Sequence, residues 1–284
     1  MLNIIARLFA FGLMAVLGAT ETTGLGFGEV DLIFPRNGTF EPTTLMPIVF
    51  GIQNPAAVNR TYPTLNYGLW SSDLPPSNRT HWTDLAVEKL PDSDSPVSFL
   101  LDGIANDLNT ENEWDFVWRL RWTNCSKPAD GTTFDNELGF VEEPDFAWRA
   151  YSLGKSIKFT TKSGGARVNL TSLTTADKCD DMQAFAFNVT ETMKAPSGSL
   201  KGRKCAVLQT PTPAPFPCKA SVAPSAASSI SSTLTSRECT APTPVISCPA
   251  KKGGAATNAM NSQMRWWAAG LALLLLSSSG QIYV

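Results

Sequence analysis

The side chains that could do chemistry in this chain are few, and most are poorly spaced for it. His81 is the one histidine, so a Ser-His-Asp or Cys-His arrangement would have to use it, and a multi-histidine metal site is excluded. It sits in Asn78-Arg79-Thr80-His81-Trp82, just past a proline-rich turn. Asn78 is itself a glycosylation acceptor, and a sugar there would crowd an active site. His81 therefore reads as a surface or packing residue rather than a base. No G-x-S-x-G elbow occurs. Gly154-Lys155-Ser156 has the end of a phosphate loop, but Arg149 stands where that motif needs its first glycine.

Carboxylate chemistry asks for less, since a glycosidase needs only two acids ~5 to 9.5 Å apart across a cleft. Asp135, Glu137, Glu142, Glu143 and Asp145 share a turn-rich stretch with Phe140, Phe146 and Trp148. Acids beside aromatics suit a sugar cleft, and they equally suit a solvated loop resting its aromatics on a core. The loop is the simpler reading, and it also covers Glu111, Glu113 and Asp115. Asp92/Asp94 and Asp177/Asp180/Asp181 lack the spacing of a known calcium loop. No catalytic residue, metal or cofactor is assigned on this basis.

The elements that must position any site read as strands. Trp114, Phe116, Trp118, Leu120 and Trp122 alternate with Asp115, Val117, Arg119, Arg121 and Thr123. Period two with aromatics on one side describes a half-buried strand. Each of those rings would bury on the order of 150–250 Å². An exposed stripe of this size would promote association, so core is preferred over a sugar-stacking platform. Shorter strands are expected at Glu29–Phe34, Leu45–Ile52 (nearly all apolar, hence paired on both sides), Tyr67–Trp70, Val97–Leu101, Ser156–Thr161, Met182–Val189 and Cys205–Leu208. Clusters of Pro, Gly, Asn and Asp separate these runs, and Asn37-Gly38 would suit a tight turn. Many short strands between turn signals predict an all-β fold, mainly an antiparallel β-sandwich.

After Leu208 the composition changes. Gln209–Pro217 is proline-rich and extended. Val222, Ala226, Ile230 and Leu234 then fall four apart among serines and threonines. That spacing gives one short C-terminal helix with a narrow apolar stripe, bracketed by Cys218 and Cys239 and docked rather than free. Its Ser/Thr content also suits O-linked sugar.

The chain ends read as addresses. Met1–Ala19 has one basic residue, Arg7, an apolar stretch and small residues at its end, the pattern of a secretory signal peptide. Gly253-Gly254-Ala255-Ala256, a polar spacer to Arg265 and the apolar run Trp266–Leu276 match a glycosylphosphatidylinositol (GPI) signal with Gly254 as attachment residue. The run is too short for a comfortable membrane span. The expected layout is residues 1–19 as signal peptide, 20–250 as one secreted β-rich domain (208–250 its Pro/Ser-rich extension), and 251–284 as the GPI signal. The net charge is −2, and losing Arg7 and Arg265 makes it −4. No basic patch stands out, which argues against nucleic acid.

Six cysteines remain, Cys125, Cys179, Cys205, Cys218, Cys239 and Cys248, an even count that predicts three disulfides on an oxidising route. None precedes Cys125. The N-terminal strands must therefore be held by packing or by pairing with the stapled half. Asn37, Asn59, Asn78, Asn124, Asn169 and Asn188 head N-glycosylation triplets, of which at least three are expected to be used.

Val30-Asp31-Leu32-Ile33-Phe34-Pro35-Arg36-Asn37, then Pro47-Ile48-Val49-Phe50 and Gln53-Asn54-Pro55, resemble a family of fungal secreted proteins known only by a domain-of-unknown-function label. The similarity continues through Trp118–Cys125 and Cys218–Pro249. The resemblance implies a fungal extracellular protein, often with a GPI signal, and no assigned activity. No functional residue carries over. The expected function is a structural or binding module tied to the plasma membrane by a GPI lipid, with cell-wall polysaccharide as a candidate partner. The rivals are a secreted carbohydrate-active hydrolase using a carboxylate pair, and an interaction protein that recognises a host or neighbouring cell.

Overall fold

A computed structural model describes residues 24–78, 81–85, 87, 95–125, 149–194 and 202–249. Residues 1–19, read above as a signal peptide, Asp92/Asp94, the acidic stretch 135–145 and the tail with Gly254 lie outside the described residues. The chain divides into two compact units, Met1–Ile246 and Ser247–Val284; the second is described only over residues 247–249. All the elements below belong to the first.

That unit is a sandwich of two five-stranded sheets. The first contains β1 (Gly26–Phe34), β3 (Leu45–Gln53), β6 (Val97–Ala105), β9 (Gln183–Lys194) and β10 (Lys204–Leu208), in the order β10-β9-β1-β3-β6. The second contains β2 (Gly38–Phe40), β4 (Thr64–Ser71), β5 (Thr83–Leu85), β7 (Asn112–Asn124) and β8 (Arg149–Thr161), in the order β2-β8-β7-β4-β5. Every ladder is antiparallel except the short parallel pair β2–β8. Among the described residues three α-helices accompany the sheets: α1 (Pro55–Asn59), α2 (Leu170–Leu173) and α3 (Pro224–Glu238).

Alternation along β7 sets the core. Trp114, Phe116, Trp118, Leu120 and Trp122 are all buried, as their period of two requires. Trp118 is 0% exposed. Its ring lies 5.2 Å from Phe50 of β3 and 4.8 Å from Phe185 of β9, so one side chain joins three strands across the two sheets. The indole N–H groups are not orphaned: Trp118 Nε1 donates to Gln183 Oε1 at 2.9 Å and Trp114 Nε1 to Thr161 Oγ1 at 2.8 Å.

The outer face of the first sheet is covered as well. Ala220, Val222, Ile230 and Leu234 are buried. A Cβ on Gly51 of β3 would stand 2.9 Å from the Ala220 Cβ, so the chain after β10 lies directly on that strand. Arg237 Nη1 donates to Leu101 O at 2.7 Å, and Val222 N to Thr174 Oγ1 at 2.9 Å, fixing the segment at both ends. This cover explains why β3 is apolar along nearly its whole length.

Disulfides secure the same region. Cys125–Cys205 ties the end of β7 to β10, and Cys179–Cys218 ties the chain before β9 to the covering segment. Cys239 and Cys248 are also disulfide-bonded. The N-terminal strands carry no cysteine and are held by pairing, β1 with β9 and β4 with β7.

The strands expected from sequence are present, several of them longer. Asn37-Gly38 is not a hairpin. It lies where the chain leaves β1 in one sheet and enters β2 in the other, while β1 takes β3 as its antiparallel partner. Gly154-Lys155-Ser156 is mid-strand in β8, where no phosphate loop can form.

Candidate binding cleft

β6 is an edge of the first sheet and β5 an edge of the second. Where this flank of the sandwich opens there is a cleft of about 550 Å³. Residues 67–71 of β4, Thr83 of β5, residues 102–105 of β6 and Trp114 of β7 line it, with Leu74, His81 and Asp107 at the loops. The geometry follows from the strands. Tyr67 shares the inward face with Phe116, their rings stacked 5.3 Å apart, which carries its hydroxyl to the flank. The Trp70 ring lies so close over Gly68 that a Cβ there would fall 2.0 Å from it, so only glycine fits. Trp70 also meets Trp82 edge-on at 5.2 Å, and the Arg119 guanidinium stands 4.1 Å over the Trp82 ring.

The polar centre of the cleft is Tyr67 and Asp102. The Tyr67 hydroxyl donates to Asp102 Oδ2 at 2.6 Å, and Asp102 Oδ1 accepts from Gly103 N at 2.8 Å. Burial, then the hydrogen bond to Asp102 and its charge, push the Tyr67 phenol well above its ordinary range; a hydrogen bond with Thr83 opposes them. Tyr67 is thus a fixed neutral donor, and Asp102 a carboxylate locked in one orientation. His81 and Asp107 are exposed at the rim. Carboxylate, hydroxyl and imidazole groups together with the Trp114 indole offer hydrogen bonds and an aromatic surface to a hydroxyl-rich ligand.

The residues singled out from sequence fall as follows. The tryptophan stripe is core, and Trp114 alone also reaches the cleft. His81 is an exposed surface residue, as expected, and it stands at the rim of the cleft. Asp115 is buried and lies 3.5 Å from Lys158 Nζ, and Glu111 accepts from Ser163 N at 2.8 Å; neither contact belongs to a cleft. Cys179, Asp180 and Cys218 cluster within 4.8 Å, but both sulfurs are used in the disulfide and cannot act as thiolates. Among the glycosylation triplets, Asn37, Asn78 and Asn169 are exposed, Asn59 and Asn188 half-buried, and Asn124 is 5% exposed, its Oδ1 accepting from Leu208 N.

Sequence reasoning missed Tyr67, Asp102 and Asp107 as a group. One signal was available, an aspartate inside the apolar run 97–105, but the partner strands lie far away in sequence.

No curated protein and no solved structure matches the chain. A family model described as "Domain of unknown function (DUF7136)" matches residues 23–248, which span both sheets, the cleft and the covering segment, and the chain belongs to that family.

Proposed function

We propose that this is an N-glycosylated module delivered through the secretory route, held at a fungal cell surface or wall by a GPI lipid, and binding a hydroxyl-rich ligand such as a wall polysaccharide. The observation that carries the binding role is the flank cleft, where Tyr67 and Asp102 form a preset donor–acceptor pair in a lining that includes Trp114. The disulfides support an oxidising destination. No helix among the described residues is long and apolar enough to cross a membrane. The terminal signals supply the remainder of the delivery argument.

Titrating the protein with glucan, chitin and mannan oligosaccharides tests the binding role. The cleft tryptophans should report occupancy as a fluorescence change, and Asp102→Asn should weaken affinity about tenfold, the worth of one charge-assisted hydrogen bond. Binding to none of the three counts against a wall module and favours recognition of another cell. Release from cells by phosphatidylinositol-specific phospholipase C tests the anchor. Intact mass before and after deglycosylation should show at least three sugars, with the exposed acceptors filled and Asn124 empty.

A hydrolase working through two carboxylates is a second reading, favoured by one fact: Asp102 and Asp107 line the same cleft. Reducing-sugar release abolished by either Asp→Asn change would establish it.

A further inference from the structure

Opposite the inward apolar face of β1 lie two acids, Glu29 and Asp31, both 0% exposed. They occupy the outer face of the first sheet, beneath the chain that follows β10. Gln53 Nε2 donates to Glu29 Oε1 and to Asp31 Oδ2, each at 3.0 Å, so one amide bridges both carboxyls. The same Nε2 reaches Phe216 O at 3.0 Å, and Phe216 N donates to Glu29 Oε2 at 2.7 Å. Phe216 is thus gripped by its backbone, while the residue as a whole is 59% exposed and its ring meets Phe27 edge-on at 6.2 Å. Asp31 Oδ1 is buried with no donor among the described residues.

Two carboxylates this close and shut away from water cannot both be ionised. A proton on one of them removes the repulsion and lets one carboxyl donate to the other. The surrounding charges do not substitute for it. From β8, Lys155 is the cation whose field reaches Glu29, and its Nζ is occupied by Ala184 O at 2.8 Å. From the covering segment, Lys219 Nζ stands over the rings of Phe27 and Phe216, 5.8 and 5.6 Å away. β3 contributes only the neutral Gln53. β9 contributes Ala186 and Ala184 opposite the two acids.

We propose that Glu29 and Asp31 form a proton-operated latch on residues 210–220. With one proton shared, the pair holds the Phe216 backbone and the segment stays closed. When solvent base takes that proton, two carboxylates face one amide donor, water must enter, and the segment lifts away from β1 and β3. Cys179–Cys218 keeps the lifted segment tethered, so opening is local and reversible. This device is independent of the flank cleft and does not rest on the binding role proposed for it.

Hydrogen exchange of the intact protein, corrected for intrinsic rates, tests the latch. The Phe216 N–H should lose protection by about tenfold or more between pH 6 and pH 9, while the amides of β7 keep theirs. Asp31→Asn supplies a permanent donor to Glu29 and should keep Phe216 protected at both pH values. If that variant fails to fold, Glu29→Gln, which can still accept from Phe216 N, takes its place with the same expectation. Equal wild-type protection at both pH values overturns the latch. So does loss of protection in β7 together with Phe216, or a folded variant that opens with pH as the wild type does.

Discussion

The chain places carboxylates in two opposite settings. Asp102 stands at an open flank, where water reaches it and the Tyr67 phenol and the Gly103 amide orient it. Glu29 and Asp31 stand on a sheet face that would also be wet, had the chain not returned to cover it. The residue types are alike and the strands similar. What differs is the cover, and cover decides the chemistry. The open acid is free to meet a ligand, whereas the closed pair must share a proton and a donor with its own chain.

The largest test of this contrast is truncation. Glu29→Ala removes the acceptor of Phe216 N and leaves a hole beside Asp31; it should cost about 3–5 kcal/mol in urea unfolding, as expected for breaking a buried network. Asp102→Ala should cost about 1 kcal/mol. Equal costs would mean that the cover excludes no water. Next is the tether: replacing Cys179 and Cys218 together by alanine should cost about 2–4 kcal/mol, lost mainly through the freed segment.

The pH dependence should also separate the two regions. Burial first, then Glu29, raise the Asp31 carboxyl from an ordinary 3.8 to about 10. A raised acid favours folding in its protonated form. Its contribution is therefore complete below pH ~4 and is lost as pH rises toward about 10, at no more than ~1.4 kcal/mol per pH unit for one proton. Denaturation midpoints across that window should fall in the wild type and flatten in Asp31→Asn, while Asp102→Asn leaves the slope alone. The smallest effect is expected from Tyr67→Phe, about 1 kcal/mol of stability for the lost hydroxyl. Its affinity loss for any cleft ligand should be proportionally greater.

Much of the sandwich was legible because period two is a local signal. Trp114 to Trp122 announced a core face, and Val222 to Leu234 announced a docked helix. The cleft was not legible, since Tyr67 and Thr83, paired across β4 and β5, meet Asp102 only through the stacking of two sheets, and no residue spacing encodes that meeting. The latch was hidden differently. Glu29 and Asp31 were visible as the polar side of an alternating strand, and such a side ordinarily faces water. The fact that buries them is the path of Phe216 and Ala220, on a proline-rich stretch whose sequence says extended but not where it lies. β2 and β5, three residues each, lacked enough pattern to be seen.

The pairing of β1 with β9, Val30 opposite Phe185, has a consequence for the order of events on the ribosome. Once β3 has emerged, β1 can take it as one neighbour, but its other edge must wait until nearly two-thirds of the chain has been made. Throughout that interval an apolar strand offers open backbone groups to any passing chain, and no cysteine on the N-terminal side is available to shield it. The nascent protein therefore passes through a long sticky adolescence, and chaperones would be expected to attend it until residue 189 arrives.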